Sequence, residues 1–585
     1  MNKSPSAIKS ALHRPGADRP LNLSALKHVA CSPAGKSGFW LNALCIPTII
    51  LMTLGAAFGA PVNVGQAEAA VKGWLRADAS PLKTVMGQQI KQVEEFDNAQ
   101  GTAIYYVLDL SPQGFVIVPA DDQIEPIMSF APTGHFDPSP NNPLAALVNS
   151  DLTKRMASLP SLKTAAANAA NAASPSSAAK AKWNQLTGLA QMATGVKAAM
   201  LPSVSDVWVA PLTLTTWSQS TVNDSASGAA CYNYYTPPYT TPGASSNYVC
   251  GCVATAMAQL MRFWQYPTTS ITKASFTVTV DGASKTRQLI GGQYAWSNMV
   301  LSPNSSTTLA QRQAIGALCA DAGVSVGMSY TAHSSGAFTA AAKNALVSTF
   351  KYSNAVCGSN PAIGAKLNNM VNPNLDAGCP VLLGISGAPG GHEIVCDGYG
   401  YNLTTLYHHL NLGWSGDCTA WYSLPTINTT GGTFTSIDDC VYNVFTTGSG
   451  EIISGRITDA SGNAVSGVTV TASGGGRSLM TTTNAQGIYA FAKIPSSSQY
   501  TIKATKLGYS FPGTQTVSTG KSVDFATSSG NQWGINWGTS PNPTPTPTPT
   551  PNPRPTATPM PTATPRPTAT PRPTATPRPT ATPRS

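Results

Sequence analysis

Residues 248–267 read YVCGCVATAMAQLMRFWQYP, and this stretch decides the fold at the centre of the chain. After Cys252, apolar residues recur at helical spacing, so the run predicts a helix with one buried face. Cys252 then occupies the helix N-terminus, where the partial positive charge of the helix favours a thiolate. Cys250 lies just outside the helix, beyond a flexible glycine, and we interpret it as a disulfide partner. A pair of structural disulfide cysteines is the alternative interpretation.

A nucleophilic thiol needs a base, and the sequence offers His392 for that role. His392 follows Gly390 and Gly391, which leave room for another backbone or a substrate, and it opens the strand-like run HEIVCDGYG. The His-Glu pair does not predict a zinc peptidase, because the second histidine of that motif would stand where Cys396 is found. We therefore expect no metal site and no cofactor. The alternative to a catalytic base is that His392 is a hydrogen-bonded histidine of the core.

A third candidate group follows in residues 407–416, YHHLNLGWSG. We expect Asn411 to accept a hydrogen bond from the imidazole of His392 and so to fix its tautomer. Trp414 would shield that bond from water. His392 is 140 residues and Asn411 159 residues after Cys252, and the order Cys, His, Asn is that of papain-like enzymes. The alternative for Asn411 and Trp414 is a purely structural strand end with a packed tryptophan.

The run at 248–267 resembles the nucleophile helix of the streptopain-type cysteine peptidases, in which Gly-Cys-Val-Ala-Thr-Ala is followed by Gln and Tyr-Pro. The resemblance continues in the same order through GGQYAWSNM, ALCADAGVSVGMSY, GGHEIVCDGYG and YHHLNLGWSG. Residues 105–137 resemble the inhibitory propeptide of that family, and residues 451–526 resemble carboxypeptidase-regulatory-like β-sandwich modules. The resemblance implies a papain-like α+β catalytic domain made as a zymogen.

Carried over position by position, the resemblance implies that Cys252 is the nucleophile and His392 the general base. Gln219, in Thr-Thr-Trp-Ser-Gln, matches the glutamine that donates to the oxyanion beside the backbone N–H of Cys252. These residues predict hydrolysis of peptide bonds through a thioester, and therefore a cysteine endopeptidase.

Two positions depart from the family pattern. Leu412 replaces a tryptophan that packs by the catalytic histidine, which increases the role expected of Asn411. Glu393 stands where a small residue is common, and a strand would point it away from His392. Because of Leu412, one alternative is that the chain is a catalytically inactive papain-like adhesin or surface-binding protein. A thiol amidase or acyltransferase with the same cysteine chemistry is the other alternative.

The distribution of charge excludes a nucleic-acid-binding domain. Six basic residues against one acidic residue in 1–38, and five arginines after residue 540, account for the whole formal net charge of +10. The body of the chain is therefore neutral, without the basic face that nucleic-acid binding needs.

Residues 1–59 predict a signal peptide, because a basic stretch precedes the apolar run of 39–60, which ends in small residues. A membrane anchor is the alternative, but polar residues and a proline interrupt the run. We expect a secreted protein, extracellular or at the cell surface, with no stable membrane span after the leader is removed. The nine cysteines outside the leader lie between Cys231 and Cys440, which predicts one free thiol and up to four disulfides.

Composition and the resemblance together divide the chain into six segments. They are a leader (1–59), an inhibitory α+β propeptide (60–157), an Ala/Ser-rich linker (158–207), the α+β peptidase domain (208–447), an all-β sandwich (449–528) and a disordered Pro/Thr-rich tail (529–585). A helix is the alternative for the Ala/Ser-rich segment, given its alanine content. We expect the activating cut to fall within 158–205. The expected partners are protein or peptide substrates, the propeptide as an intramolecular inhibitor and, for the sandwich, a surface or a carbohydrate.

Overall fold

The computed structural model describes residues 60–139, 142–168, 175–191, 205–224, 227–332, 334–361, 364–387, 390–424 and 437–541. The predicted leader (1–59) and residues 542–585 of the predicted tail lie outside the described residues. Among the helices of the described part, none is long and apolar enough to cross a membrane.

The N-terminal domain packs helices against a four-stranded antiparallel sheet. Its elements are α1 (Val64–Ala77), a 3₁₀ helix (Pro81–Lys83), β1 (Gln89–Asp97), β2 (Ala103–Ser111), β3 (Phe115–Pro119), β4 (Ser129–Ala131), α2 (Pro143–Asn168) and α3 (Pro175–Gln191). α1 begins with a capping box. The Asn63 side chain accepts a hydrogen bond from the backbone N–H of Gln66, and the Gln66 side chain accepts one from the backbone N–H of Asn63. The helix buries Trp74 against Phe130 of β4, with ring centroids 5.0 Å apart.

α3 occupies a stretch that the sequence assigns to a linker. Its Trp183 is buried, and the indole N–H donates to the Ile124 carbonyl at 2.9 Å. Gly73 of α1 has no side chain, so the backbone of α3 at Leu186 passes directly against it. The linker interpretation is therefore wrong for residues 175–191, because this helix has tertiary partners that its alanine-rich composition does not reveal.

The central domain places helices and strands in the α+β arrangement predicted from the sequence. Its elements are β5 (Ser205–Val209), α4 (Cys252–Trp264), β6 (Ser275–Val280), β7 (Ala283–Gln288), a 3₁₀ helix (Trp296–Asn298), α5 (Leu309–Ser325), β8 (Ser329–Tyr330), β9 (Ser335–Gly336), α6 (Thr339–Ser348), β10 (Asn354–Ser359), α7 (Ala365–Asp376), β11 (Val381–Gly387), β12 (Gly390–Asn402), β13 (Thr405–Asn411), β14 (Ala420–Tyr422) and β15 (Ile437–Phe445). One core joins α4, α5 and α6 to one face of the sheet. A second core joins α2 and α7 to the opposite face.

The sheets of the N-terminal and central domains are continuous. β4 pairs with β14 in antiparallel register, with Phe130 opposite Trp421 and Ser129 opposite Tyr422. Among the described residues the result is one sheet of eleven strands, in the order β1-β2-β3-β4-β14-β13-β12-β11-β15-β10, with β5 paired to β12. Backbone hydrogen bonds therefore hold the N-terminal domain on the edge of the central domain.

The C-terminal domain is a sandwich of two four-stranded sheets. Its strands are β16 (Glu451–Asp459), β17 (Thr469–Gly474), β18 (Arg477–Thr482), β19 (Ile488–Ile494), β20 (Gln499–Thr505), β21 (Tyr509–Ser510), β22 (Thr514–Ser518) and β23 (Trp537–Pro541). β23 pairs with β16 in parallel and buries Trp537. The sandwich therefore includes residues that the sequence assigns to the tail, whose expected start at 529 is too early.

Buried polar side chains fix the sandwich to the central domain. Asp376, the last residue of α7, accepts hydrogen bonds from the hydroxyls of Tyr399 and Ser454, each at 2.7 Å. Burial raises the pKa of Asp376 to about 7. The side chains of Asn443 and Asn531 exchange two hydrogen bonds of 3.0 and 3.1 Å. The sandwich is thus docked on the central domain by satisfied polar contacts as well as by the chain connection.

Candidate active site

The structure places Cys252 at the first position of α4, as the sequence predicts. The preceding Gly251 adopts φ 92°, a backbone conformation that favours glycine. A Cβ at that position would lie 2.7 Å from the sulfur of Met328 and 2.9 Å from the carbonyl oxygen of Ser335. Gly251 therefore allows the chain to turn tightly into the helix and leaves the half-buried Cys252 at its N-terminus.

Backbone N–H groups surround the sulfur of Cys252. Burial raises the pKa of this thiol, while the N–H groups of Glu393, Val253 and Cys252 itself act in the opposite direction. Because burial is the larger effect, the thiol is protonated in this state. The donors that would stabilise a thiolate are nevertheless already in place.

His392 lies near the start of β12, next to the residue whose N–H faces the thiol. Its Nε2 is 3.1 Å from the carbonyl oxygen of Leu412. A carbonyl oxygen can only accept, so Nε2 carries the proton and the Nδ1 lone pair of the neutral ring is free to accept one. Burial lowers the pKa of His392 to about 4. Among the described contacts no hydrogen bond joins the ring to the Cys252 sulfur, so both groups are neutral here.

The expected hydrogen bond between Asn411 and His392 is not the one that the structure contains. The side-chain amide of Asn411 donates to the Thr215 carbonyl at 2.7 Å, and its oxygen accepts from the Gly413 N–H at 3.1 Å. These bonds fix the backbone on both sides of Leu412, whose carbonyl holds the imidazole. Asn411 is therefore placed to position His392 through the backbone, without touching the ring.

Trp414 lies beside the histidine, and Gln219 contacts the loop that precedes the cysteine. The Trp414 ring stands edge-on to the His392 ring, with centroids 6.3 Å apart and planes at 89°. Gln219 is half-buried, and its backbone carbonyl accepts from the Cys250 N–H at 2.9 Å, which ties it to the loop before α4. Asn411 thus has a contact different from the expected one, and the roles expected of the other four site residues stay predictions.

Asp224 is a residue at this site that the sequence did not single out. Its carboxylate accepts from the hydroxyls of Ser218, Ser220 and Ser415, the last two at 2.7 and 2.8 Å. Ser218 and Ser220 flank Gln219, and Ser415 follows Trp414 in the sequence. One carboxylate therefore joins the Gln219 loop to the Trp414 loop. No sequence motif announces it, because its partners are common serines far apart in the chain.

Glu393 is fully buried on the opposite side of β12 from His392. The hydroxyl of Thr339 donates to one carboxyl oxygen, and the other oxygen has no partner in the described structure. Burial raises the pKa of Glu393 to about 8, so the side chain is largely neutral at pH 7. The sequence correctly indicates that this unusual residue points away from the imidazole.

In the part of the chain that the structure describes, the disulfides expected from the cysteine count are not present. The structure shows nine free cysteines, and all of them except the half-buried Cys252 are buried. Cys250, expected as a disulfide partner, instead places its sulfur 3.2 Å from the hydroxyl of Thr255. A cysteine is a small apolar side chain as well as a cross-linking one, so a cysteine count alone does not separate the two uses.

A cysteine at a helix N-terminus, a histidine with a free proton-accepting nitrogen and an N-terminal domain joined to the same sheet favour a thiol hydrolase precursor. Comparison with known proteins agrees. Residues 59–156 match the Spi protease inhibitor family, residues 227–422 the Peptidase C10 family and residues 452–527 the carboxypeptidase regulatory-like domain.

Individual relatives are similar over long stretches. Streptopain of Streptococcus pyogenes serotype M28 is 26% identical over 338 residues, which cover 55% of this chain and 74% of streptopain. The thiol protease/hemagglutinin PrtT of Porphyromonas gingivalis is 28% identical over 181 residues, which cover 30% of this chain and 20% of PrtT. A prointerpain A fragment from Prevotella intermedia aligns at a TM-score of 0.41 and 22% identity, covering 60% of this chain and 98% of the fragment.

The resemblance found in the sequence is thereby confirmed. The chain contains a Spi-type inhibitor domain, a streptopain-like Peptidase C10 domain and a carboxypeptidase regulatory-like domain. An inhibitor domain ahead of a peptidase domain in one chain defines a cysteine protease zymogen.

Proposed function

We propose that this chain is the precursor of a secreted cysteine endopeptidase, with Cys252 as nucleophile and His392 as general base. The observation that carries the proposal is the bond from His392 Nε2 to the Leu412 carbonyl. It fixes the tautomer in which Nδ1 can take the proton of a thiol. Cys252 lies beside the neighbouring residue, with three backbone donors directed at its sulfur.

In the proposed reaction, His392 takes the thiol proton, and the Cys252 thiolate attacks the peptide carbonyl. The Gln219 side-chain amide and the Cys252 backbone N–H donate to the resulting oxyanion. His392 then gives its proton to the leaving amine, and a water molecule activated by His392 hydrolyses the thioester. Trp414, edge-on to the imidazole, limits the access of water to the bond between His392 and Leu412.

Latency of the precursor follows from where α2 packs. Ile394 and Cys396 belong to the core that contains Leu147 and Leu152 of α2. α2 therefore packs on β12, the strand that carries His392. We infer that the docked N-terminal domain blocks substrate and keeps Cys252 and His392 neutral until it is removed.

The replacement of the family tryptophan by Leu412 does not remove this support. His392 is held by a backbone carbonyl, which any residue at 412 supplies. The structure thus favours an active peptidase over an inactive adhesin. The leader at 1–59, the secreted location and an activating cut within 158–205 belong to the same proposal. Within that range, residues 169–174 and 192–204 lie outside the described residues.

The proposal is tested by expressing the full chain and its Cys252→Ala variant and following processing over time. The parent should shorten to a mature form that cleaves peptides and is blocked by a thiol alkylator, whereas the variant should remain a full-length precursor. Cys379→Ala, which removes a buried cysteine near the end of α4 opposite to Cys252, should process like the parent. Self-processing of Cys252→Ala at the parental rate would overturn the proposal. Amide hydrolysis or acyl transfer without peptide cleavage would support the alternative enzyme class.

A further inference from the structure

Three metal-ligating side chains of the N-terminal domain converge at one point on its sheet. Glu94 of β1, Asp109 of β2 and His135 of the segment after β4 each place a donor atom within 4.8 Å of the other two. The Nδ1 atom of His135 lies 3.0 Å from Asp109 Oδ2. The donors on one zinc ion are roughly 3.3–3.6 Å apart, given the usual zinc bond lengths and tetrahedral angles. The three side chains therefore need only small movements to share one ion.

The pairing of β1 with β2 brings the two carboxylates to the same face of the sheet. Asp109 is paired with Gln92, and Glu94 is two residues further along β1. Side chains of paired residues, and of residues two apart in one strand, point to the same face. The two carboxylates are therefore diagonal neighbours. Two like charges side by side are destabilising, and a bound cation would relieve their repulsion.

Aromatic packing anchors the segment that carries His135 over this face. Phe136, the next residue, is fully buried, and its ring packs edge-on against Phe96 and Tyr105, with centroids 5.8 and 6.2 Å apart. Phe96 is paired with Tyr105 and lies two residues after Glu94, so it shares the face of the carboxylates. The backbone and the aromatic core thus hold the three donors together before any metal binds.

One carboxylate oxygen of the cluster lacks a partner. Asp109 Oδ1 is buried and accepts no hydrogen bond from the described residues. An unpaired polar atom in a buried position is costly, and a metal ion held by this carboxylate would give it the partner that it lacks. Glu94 Oε1 accepts from the side chain of Gln92 at 2.8 Å. The His135 side chain is 62% exposed, so an ion can reach the cluster from solvent.

We propose that Glu94, Asp109 and His135 bind one Zn²⁺ ion. An imidazole nitrogen with two carboxylates is a donor set that suits zinc, whereas Mg²⁺ and Ca²⁺ prefer oxygen donors alone. Three protein ligands leave the fourth tetrahedral position to a water molecule. The sequence does not announce this site, because its members lie on two strands and a loop and form no motif. The expectation of no metal site rests on the run after His392 and does not extend to these residues.

A bound ion would also strengthen the contact between the inhibitory domain and the central domain. The carbonyl oxygen of His135 accepts from Cys418 Sγ at 3.4 Å, and Gly134, which has no side chain, lies directly against the Asp417 carboxylate. The backbone N–H of Asp417 donates to the Trp414 carbonyl at 2.7 Å, in the loop beside the proposed active site. Zinc would fix this contact to β1 and β2 and so favour the latent state. Only this consequence rests on the proposed function.

The test uses the full chain carrying Cys252→Ala, which neither processes itself nor offers the Cys252 thiolate to the metal. After removal of metals with EDTA and dialysis, calorimetric titration with Zn²⁺ alone should show one bound equivalent, whereas Mg²⁺ should show none. In that background, His135→Ala and Asp109→Asn should each weaken zinc binding by more than the roughly 10–100-fold that loss of a ligand's hydrogen-bond partner costs. Glu95→Gln is the matched control, because Glu95 is exposed and lies next to Glu94 on the opposite face of β1; it should leave binding unchanged.

Chemical labelling locates the ion by a second readout. Diethyl pyrocarbonate modifies exposed imidazoles, and mass spectrometry should show that Zn²⁺, but not Mg²⁺, protects His135 in the Cys252→Ala chain. Absence of this protection, or unchanged zinc binding in His135→Ala and Asp109→Asn, would overturn the proposal. Because that chain has no nucleophile, neither result depends on whether the protein is a peptidase.

The effect on latency has its own measurement. With Cys252 restored, zinc should slow self-processing of the parent chain more than that of His135→Ala, since only the parent has the complete site. Zinc that protects His135 but slows both chains equally would contradict the effect on latency and leave the metal site supported.

Discussion

The clearest prediction concerns an ion pair within α2 that is buried where the N-terminal and central domains meet. Arg155 of α2 is 2% exposed, and its guanidinium lies 2.5 Å from the Asp151 carboxylate and 2.8 Å from the Ser423 carbonyl oxygen. The Tyr422 hydroxyl donates to the same carboxylate at 2.6 Å. Arg155→Met would leave Asp151 charged and buried with only the tyrosine as a partner.

Breaking a buried ion pair by removing one partner costs about 3–5 kcal/mol. When α2 detaches, water solvates Asp151, so the cost applies to the docked state alone. At about 1.4 kcal/mol per tenfold change, the undocked fraction should rise by roughly two to four orders of magnitude. Replacing both charges, with Asp151→Asn and Arg155→Met together, should restore most of the docking because no unpaired charge stays buried.

Hydrogen exchange of the α2 amides, measured in the Cys252→Ala chain, reads this docking directly. Arg155→Met should accelerate exchange and, with Cys252 restored, shorten the time to self-processing. Thr153→Ala, on the exposed side of the same helix, is the matched control and should change neither. Exchange and processing within about threefold of the parent for Arg155→Met would refute the view that this pair holds the inhibitory domain in place.

Two further predictions concern the reaction and the domain contact. Gln219→Ala should lower kcat of the processed enzyme by roughly 10²–10³-fold with little change in KM, because it removes an oxyanion donor. Gln293→Ala, at an exposed glutamine, is the control and should leave kcat unchanged. Equal effects of the two variants would count against Gln219 as an oxyanion donor. Asp376 holds its proton to about pH 7 when folded but releases it near its usual pKa of 3.8 when unfolded. The folded state therefore loses stability as pH rises from about 4 to 7. Asp376→Asn should lack this loss. The Tm of the parent minus the Tm of the variant should therefore fall as the pH rises through this range. A constant difference would show that the Asp376 carboxyl does not titrate as described.

The helix and the strand that carry the site could be predicted from the sequence, because the spacing of apolar side chains along the chain indicates both. Helical spacing after Cys252 places it at the start of α4, and the run after His392 gives the strand. The partner of His392 could not be predicted, because it is the carbonyl of Leu412, and every residue type has a carbonyl. Asn411 has the side chain that the chemistry calls for, yet the local backbone takes both ends of its amide.

The remaining differences depend on tertiary packing. An alanine-rich stretch such as α3 has a high helix propensity but no strong apolar stripe, and contact with Gly73 and a buried Trp183 decides its place. The docked position of the sandwich depends on Asp376, Asn443 and Asn531, which are far apart in sequence and belong to no motif. Asp224 is similar, since only the fold brings its three serines together.

The central claim is that removal of the inhibitory domain turns a neutral thiol and imidazole into a reactive pair at Cys252. It is tested most directly by treating precursor and processed protein with a thiol-reactive peptidyl electrophile and locating the label by mass spectrometry. Label is expected on Cys252 in the processed form, far less in the unprocessed precursor, and none in His392→Ala protein that added parent enzyme has processed. Equal labelling of precursor and processed form, or label on Cys252 that does not depend on His392, would contradict it.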